Sequence, residues 1–186
     1  MRRADGFVPD AQGWVPGARP APSPNCDERP AGCAIDLLVV HGISLPPGQF
    51  GGDAIEALFT NRLDCGAHPY YAGLRGLRVS AHFLIRRDGQ LLQFVSCDRR
   101  AWHAGVSAFR GRGRCNDFSI GVELEGTDER PYEDVQYARL AALVRGLRTR
   151  YRLDHLAGHS DIAPGRKTDP GPLFDWPRLH AAIADR

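Results

Sequence analysis

The run Gly158-His159-Ser160-Asp161-Ile162-Ala163-Pro164-Gly165-Arg166-Lys167-Thr168-Asp169-Pro170-Gly171-Pro172 sets a histidine, a lysine and an aspartate into one Pro- and Gly-rich loop. A second histidine, His41, follows directly on the apolar run Leu37-Leu38-Val39-Val40. Two imidazoles and one carboxylate make a zinc site with three protein ligands and an open fourth position, the layout of a hydrolase rather than of a structural zinc. Pro164 and Pro170 fix φ within the loop. Part of the entropy of returning Asp169 to the metal beside His159 is therefore already removed from the unfolded chain. His41, His159 and Asp169 are the expected ligands and Zn2+ the expected cofactor.

The other histidines read differently. His155 lies four residues before His159, a spacing that would make a metal pair on a helix. Gly158 and the Pro-rich loop that follows argue against a helix there, so His155 is read as structural or superficial. His82 is expected to be packed behind the site rather than to bind metal. His103, next to Trp102, is expected in a substrate groove, while His68 and His180 carry no signal.

These groups need elements to hold them. Leu37 to Val40 reads as a strand buried on both faces, with His41 where it emerges. Asp53 is placed at the start of a short helix carrying Ile55, Leu58 and Phe59. Ala81 to Arg86 and Gln90 to Ser96 flank Asp88-Gly89, which predicts a hairpin closed by a type I′ turn. Residues 101–117 read as a surface loop, and Ser119 to Glu125 as a strand of alternating polarity in which Glu123 and Glu125 share a face. Asp134 opens the longest helix, with Tyr137, Leu140, Val144, Leu147 and Tyr151 at steps of three and four, and Asp175 caps a last one. Residues 1–34, with Pro16, Pro20, Pro22, Pro24 and Pro30, read as an extended arm anchored by Trp14. Residues 35–186 form the catalytic domain. Strands interleaved with helices predict a single α/β (α+β) domain with a central mixed sheet flanked by helices.

Composition removes several classes. The 186 residues are enough for one core and short for two. With 24 Lys+Arg against 22 Asp+Glu, bulk charge gives no drive toward nucleic acid. No stretch approaches the roughly 18 apolar residues of a membrane span, and no apolar segment follows Met1 to Gly6, so a cytoplasmic monomer is expected. Five cysteines without a Cys-x-x-Cys pair argue against a disulfide framework and against thiolate zinc.

The segments Leu38 to Gly48, Arg78-Val79-Ser80-Ala81-His82, Arg100 to Ser107, Cys115 to Asp128 and Gly158 to Pro172 together resemble the type 2 N-acetylmuramoyl-L-alanine amidases, a fold shared with peptidoglycan recognition proteins. The resemblance runs in order over about residues 13–180, and is strongest to members that act in the cytoplasm on 1,6-anhydro-muropeptides. It implies a zinc amidase that cleaves the amide between anhydro-N-acetylmuramic acid and L-alanine, with His41, His159 and Asp169 on the metal. It further implies Glu123 as general base and Lys167 as the cation opposite the developing oxyanion. Beside these, Arg78, Arg114 and Arg166 are expected to bind stem-peptide carboxylates and Trp102 to wall the sugar or the alanine methyl. One position departs from the pattern: Gly42 stands where asparagine is common, which removes a side-chain hydrogen bond to the substrate amide. A binding module that has lost a ligand is disfavoured by the full set of His41, His159 and Asp169. An exported murein amidase is disfavoured by the lack of a signal segment.

Overall fold

In the computed structural model, residues 7–185 are described. The first six residues of the arm and Arg186 lie outside them. In chain order the elements are β1 (Arg19–Pro20), β2 (Cys26–Asp27), β3 (Leu37–Ile43), α1 (Ala54–Phe59), α2 (Pro69–Ala72), β4 (Phe83–Ile85) and β5 (Leu91–Gln93). There follow β6 (Arg100–Ala101), β7 (Ala108–Phe109), β8 (Arg112–Gly113), β9 (Ser119–Glu125), α3 (Asp134–Leu147), β10 (His155–Gly158), α4 (His159–Ile162) and α5 (Trp176–Ala184). The main sheet runs β1-β5-β4-β9-β3-β10, with β4, β9, β3 and β10 parallel and β5 antiparallel to β4. This is the mixed sheet that the interleaved pattern predicts.

The sheet has two unlike faces. Leu38 and Val40 of β3 and Ile120, Val122 and Leu124 of β9 pack against Leu140, Leu143, Val144 and Leu147 of α3 and Leu179 of α5. The alternate residues of the same strands, His41 and Glu123 among them, point the other way. Alternating polarity in β9 would ordinarily mean one wet face, yet all seven of its residues are buried. The strand lies between β4 and β3, so its polar face looks into the cleft and the loops around it instead of into open solvent.

Several local expectations change. Only Gly89 of the Asp88-Gly89 pair has positive φ, +82°. The Gly89 N–H donates to the Arg86 carbonyl at 2.9 Å, so an ordinary turn followed by a left-handed glycine replaces the type I′ turn. Asp53 does stand before α1, but its side chain makes no cap hydrogen bond, whereas Asp175 accepts from the Arg178 N–H at 2.9 Å. His155 ends up on strand β10 and His159 on the one-turn helix α4, so they do not share a helix face. Residues 101–117 fold into the small β7–β8 hairpin and a 3-10 turn at Cys115–Asp117.

The arm is held by much more than Trp14, which is only half-buried. β1 adds a parallel edge strand to β5, and β2 pairs with β6. Val15 is buried, and its N–H donates to Gln93 Oε1 at 2.7 Å. Arg29 reaches under the sheet and donates to the carbonyls of Asn116, Asp117, Cys97 and Ser119. A polar residue can anchor an arm when main-chain carbonyls are its partners, and apolar patterning does not reveal such an anchor.

Candidate active site

Register brings the chemistry together. In the parallel β3–β9 pair His41 lies opposite Glu123, and in the β10–β3 pair Gly158 lies opposite Val40, so His159 emerges beside His41. All three leave the carboxyl ends of parallel strands, where open α/β sheets form their sites. The loop after α4 returns Asp169 to the same point: the Ser160 N–H donates to the Asp169 carbonyl at 2.9 Å, and Tyr132 Oη donates to the Pro170 carbonyl at 2.9 Å.

The three expected ligands converge. His41 Nδ1 lies 2.9 Å from His159 Nδ1 and 3.2 Å from Asp169 Oδ2, and His159 Nδ1 lies 3.1 Å from that same oxygen. For ligand bonds of about 2.0–2.1 Å, tetrahedral geometry sets donor atoms roughly 3.3 Å apart, close to this triangle. His159 Nε2 is 3.3 Å from the Ala104 carbonyl, which can only accept, so Nε2 carries the proton and Nδ1 offers a lone pair. Burial lowers the His41 pKa to about 4, Asp169 working against it and His159 with it, so this imidazole is neutral at ordinary pH. Two imidazole nitrogens and a carboxylate oxygen directed at one point fit a zinc ion.

Glu123 and Glu125 share a face of β9 but not a fate. Glu125 is tied down: it accepts from the Gly51 N–H at 2.6 Å and the Arg87 N–H at 3.2 Å. Glu123 lines the cleft, is 9% exposed, and its buried Oε2 has no hydrogen-bond partner. Burial, reinforced by the charge of Asp169 and partly offset by Lys167, pushes its pKa well above the ordinary carboxylate value. A proton-binding group held beside a ligand set is equipped for acid–base work. Lys167 is exposed and lines the same cleft.

The cleft holds about 820 Å³, the size of a small-molecule site. Beside the polar triad it has an apolar lobe of Leu58, Phe59, Leu74 and Val79. Trp102 and Arg166 line it as well. Arg166 Nη2 donates to the carbonyls of Ala104 at 2.9 Å and Val106 at 2.7 Å, joining the metal loop to the loop after β6. Arg78 and Arg114 are not among the lining residues. Arg78 is exposed next to the lining residue Val79, and Arg114 is turned to Asp117 at 3.2 Å. A Cβ on Gly42 would overlap the Tyr132 hydroxyl, so the departure at this position goes with a tyrosine filling the space. His103 touches the cleft, but it is buried, and its ring sits behind His41 with Nδ1 2.9 Å from His41 Nε2. It is thus held against His41 at the back of the cleft instead of standing free in an open groove. His82 is buried beneath it, as expected, accepting from the Gly121 N–H at 3.0 Å.

Residues 31–172 match the family described as N-acetylmuramoyl-L-alanine amidase, and the chain belongs to that family. Within it, the chain is 59% identical over 174 residues to 1,6-anhydro-N-acetylmuramyl-L-alanine amidase AmpD of Citrobacter freundii, covering 92% of this chain and 93% of that one. A crystal structure of a selenomethionine AmpD derivative superposes with a TM-score of 0.92 at 58% identity, covering 95% of this chain and 99% of that chain. More distant is the Escherichia coli amidase AmiD, solved with its substrate anhydro-N-acetylmuramic acid-L-Ala-D-γ-Glu-L-Lys, at 28% identity and a TM-score of 0.59 over 95% of this chain and 65% of that one.

Proposed function

We propose that this protein is a zinc-dependent amidase that hydrolyses the bond between 1,6-anhydro-N-acetylmuramic acid and L-alanine in muropeptides released during peptidoglycan recycling. One observation carries the reading: His41, His159 and Asp169 converge beside the unpartnered carboxyl of Glu123 at one end of a cleft sized for a muropeptide. The 59% identity to AmpD supports the choice of the anhydro sugar.

Bound by His41 Nδ1, His159 Nδ1 and Asp169 Oδ2, zinc would supply Lewis acidity to the scissile carbonyl and to an attacking water. The chain supplies the rest. Glu123 takes a proton from the water and delivers it to the leaving nitrogen of L-alanine, a task suited to a carboxyl whose proton affinity burial has raised. Lys167, placed by the loop that carries two ligands, holds its ammonium toward the oxygen on which negative charge grows. Trp102 and the apolar lobe accept the compact anhydro bicycle, which has no free reducing-end hydroxyl to desolvate. Arg166 has Nε and Nη1 available for a stem-peptide carboxylate, and Arg78 and Arg114 serve a peptide that runs out over the rim.

The protein acts in the cytoplasm. None of the described helices is long and apolar enough to cross a membrane, and all five cysteines are free thiols, which suits a reducing compartment. The test is a comparison of kcat/KM on a 1,6-anhydro-muropeptide and on the same peptide carried by ordinary N-acetylmuramic acid. A strong preference for the anhydro sugar is expected. Equal rates would make this a general cell-wall amidase.

A further inference from the structure

A metal-binding imidazole must present a lone pair to the metal, and the hydrogen bond at its other nitrogen decides whether it does. His159 has a carbonyl there. His41 does not. Its Nε2 lies 2.9 Å from Nδ1 of His103, a second imidazole that could either give or take a proton. That contact alone leaves the tautomer of His41 open.

The next links close it. His103 Nε2 is 3.2 Å from Ser119 Oγ, and Ser119 Oγ is 2.6 Å from the Cys115 carbonyl oxygen. The carbonyl only accepts, and a hydroxyl has one hydrogen to give. Ser119 therefore donates to Cys115 and turns lone pairs to His103, so His103 Nε2 carries the proton and its Nδ1 accepts. His41 Nε2 must then be the donor, and His41 Nδ1 is left as a lone pair directed at His159 and Asp169. The direction of every bond follows from one main-chain carbonyl.

The surroundings hold His103 in this chain. Its ring lies over Gly121, where a Cβ would overlap it. Asn116 Oδ1 accepts from the main-chain N–H groups of both His103 and Ala104, at 3.1 and 2.8 Å, which fixes the loop. Ser119 is fully buried and His103 nearly so, so water does not compete for either.

We propose that His103 is a positioning residue that, through Ser119 and the Cys115 carbonyl, locks His41 in the tautomer whose Nδ1 can bind metal, with Gly121 as the space that admits its ring. The proposal rests on the triad being the metal site. The test reads long-range 1H–15N correlations of the histidine rings in metal-free protein, together with the zinc dissociation constant from competition with a chromophoric chelator. In the wild type, His41 and His159 should both carry the proton on Nε2. In His103→Phe, which keeps the packed volume, His41 should become a mixture of tautomers while His159, with its own carbonyl, stays as it was. Zinc affinity should fall roughly 10- to 100-fold. Ser119→Ala should give the same pattern to a smaller extent, and it stands in if His103→Phe does not fold. His103→Gln, whose amide both donates and accepts, should recover most of the affinity.

Zinc binding within about twofold of wild type in His103→Phe, with His41 still protonated only on Nε2, would overturn the proposal. So would an equal shift of His159, which would mark general damage instead of a specific lock. Wild-type protein that binds no zinc would sink the metal site itself, and that failure is distinguishable because the His41 tautomer is read without metal.

Discussion

The two ends of strand β9 are built by opposite rules. At its start, Ser119 and Gly121 meet His103, His82 and Arg29, and the polar groups are used up: Arg29 alone donates to four main-chain carbonyls. At its other end Glu123 keeps a buried oxygen with no partner, while Glu125, two residues on, is bonded to two N–H groups. A buried polar atom without a partner carries a desolvation cost that folding does not recover. A strand that satisfies its polar groups at one end and leaves one open at the other marks the open one as the candidate for chemistry.

The contrast breaks first at the two glutamates. Glu123→Ala should lower kcat by about two to four orders of magnitude with zinc content unchanged, since Glu123 is not a ligand. Lys167→Ala should lower kcat by about two to three orders, also with zinc retained. Glu125→Ala should chiefly lower stability. If steady-state kinetics found Glu125→Ala the crippling change and Glu123→Ala mild, the two carboxylates would have been assigned the wrong way round.

At the satisfied end the loss should be one of folding. Arg29→Met would leave several buried carbonyls without donors, at a cost of about 2–4 kcal/mol in urea denaturation with no direct effect on the reaction. An effect below about 0.5 kcal/mol would mean that the arm is held by its strand pairing and apolar contacts and not by Arg29.

Acid should act at the same end. Burial, helped by the charge of Arg29, lowers the His82 pKa to about 3, whereas in the unfolded chain it has the ordinary value of about 6.5. Between those limits the unfolded chain binds one more proton than the folded one, so stability is full above about pH 6.5 and falls as the pH drops. The slope from His82 is about 1.4 kcal/mol per pH unit. Urea midpoints of metal-free protein at pH 7 and pH 5 should show it added to the like contributions of His41 and His103, and His82→Gln should make the slope shallower by the His82 share. An unchanged slope in that variant would remove His82 from the account.

The smallest effect is expected at the rim. Arg166→Ala should reduce kcat/KM about tenfold, and combining it with a truncated stem peptide should cost no more than either change alone, because both remove one interaction. Additive losses would separate Arg166 from the peptide carboxylates.

The two ends of β9 also differ in how far the sequence reveals them. His41, His159 and Asp169 stand out because a strand end and a Pro- and Gly-bounded loop leave few other uses for them. Glu123 and Glu125 could not be separated by pattern, since residues two apart in a strand share a face; burial and partners tell them apart. His103 does line the cleft, but its lodging behind His41 has no sequence signature, because nothing local shows that Gly121, eighteen residues on, leaves room for its ring. Arg29 was missed because its partners are main-chain carbonyls of distant segments, which have no sequence signature. The Asp88-Gly89 hairpin was legible and its turn type was not, because Asp-Gly serves more than one turn geometry.

The proposed chemistry depends on a zinc ion held by His41, His159 and Asp169. Elemental analysis of the purified protein, paired with hydrolysis of 1,6-anhydro-muropeptide before and after chelation, tests it most directly. About one zinc per chain, loss of hydrolysis when the metal is stripped, and recovery when zinc is returned are expected. Undiminished hydrolysis by metal-free protein would contradict it.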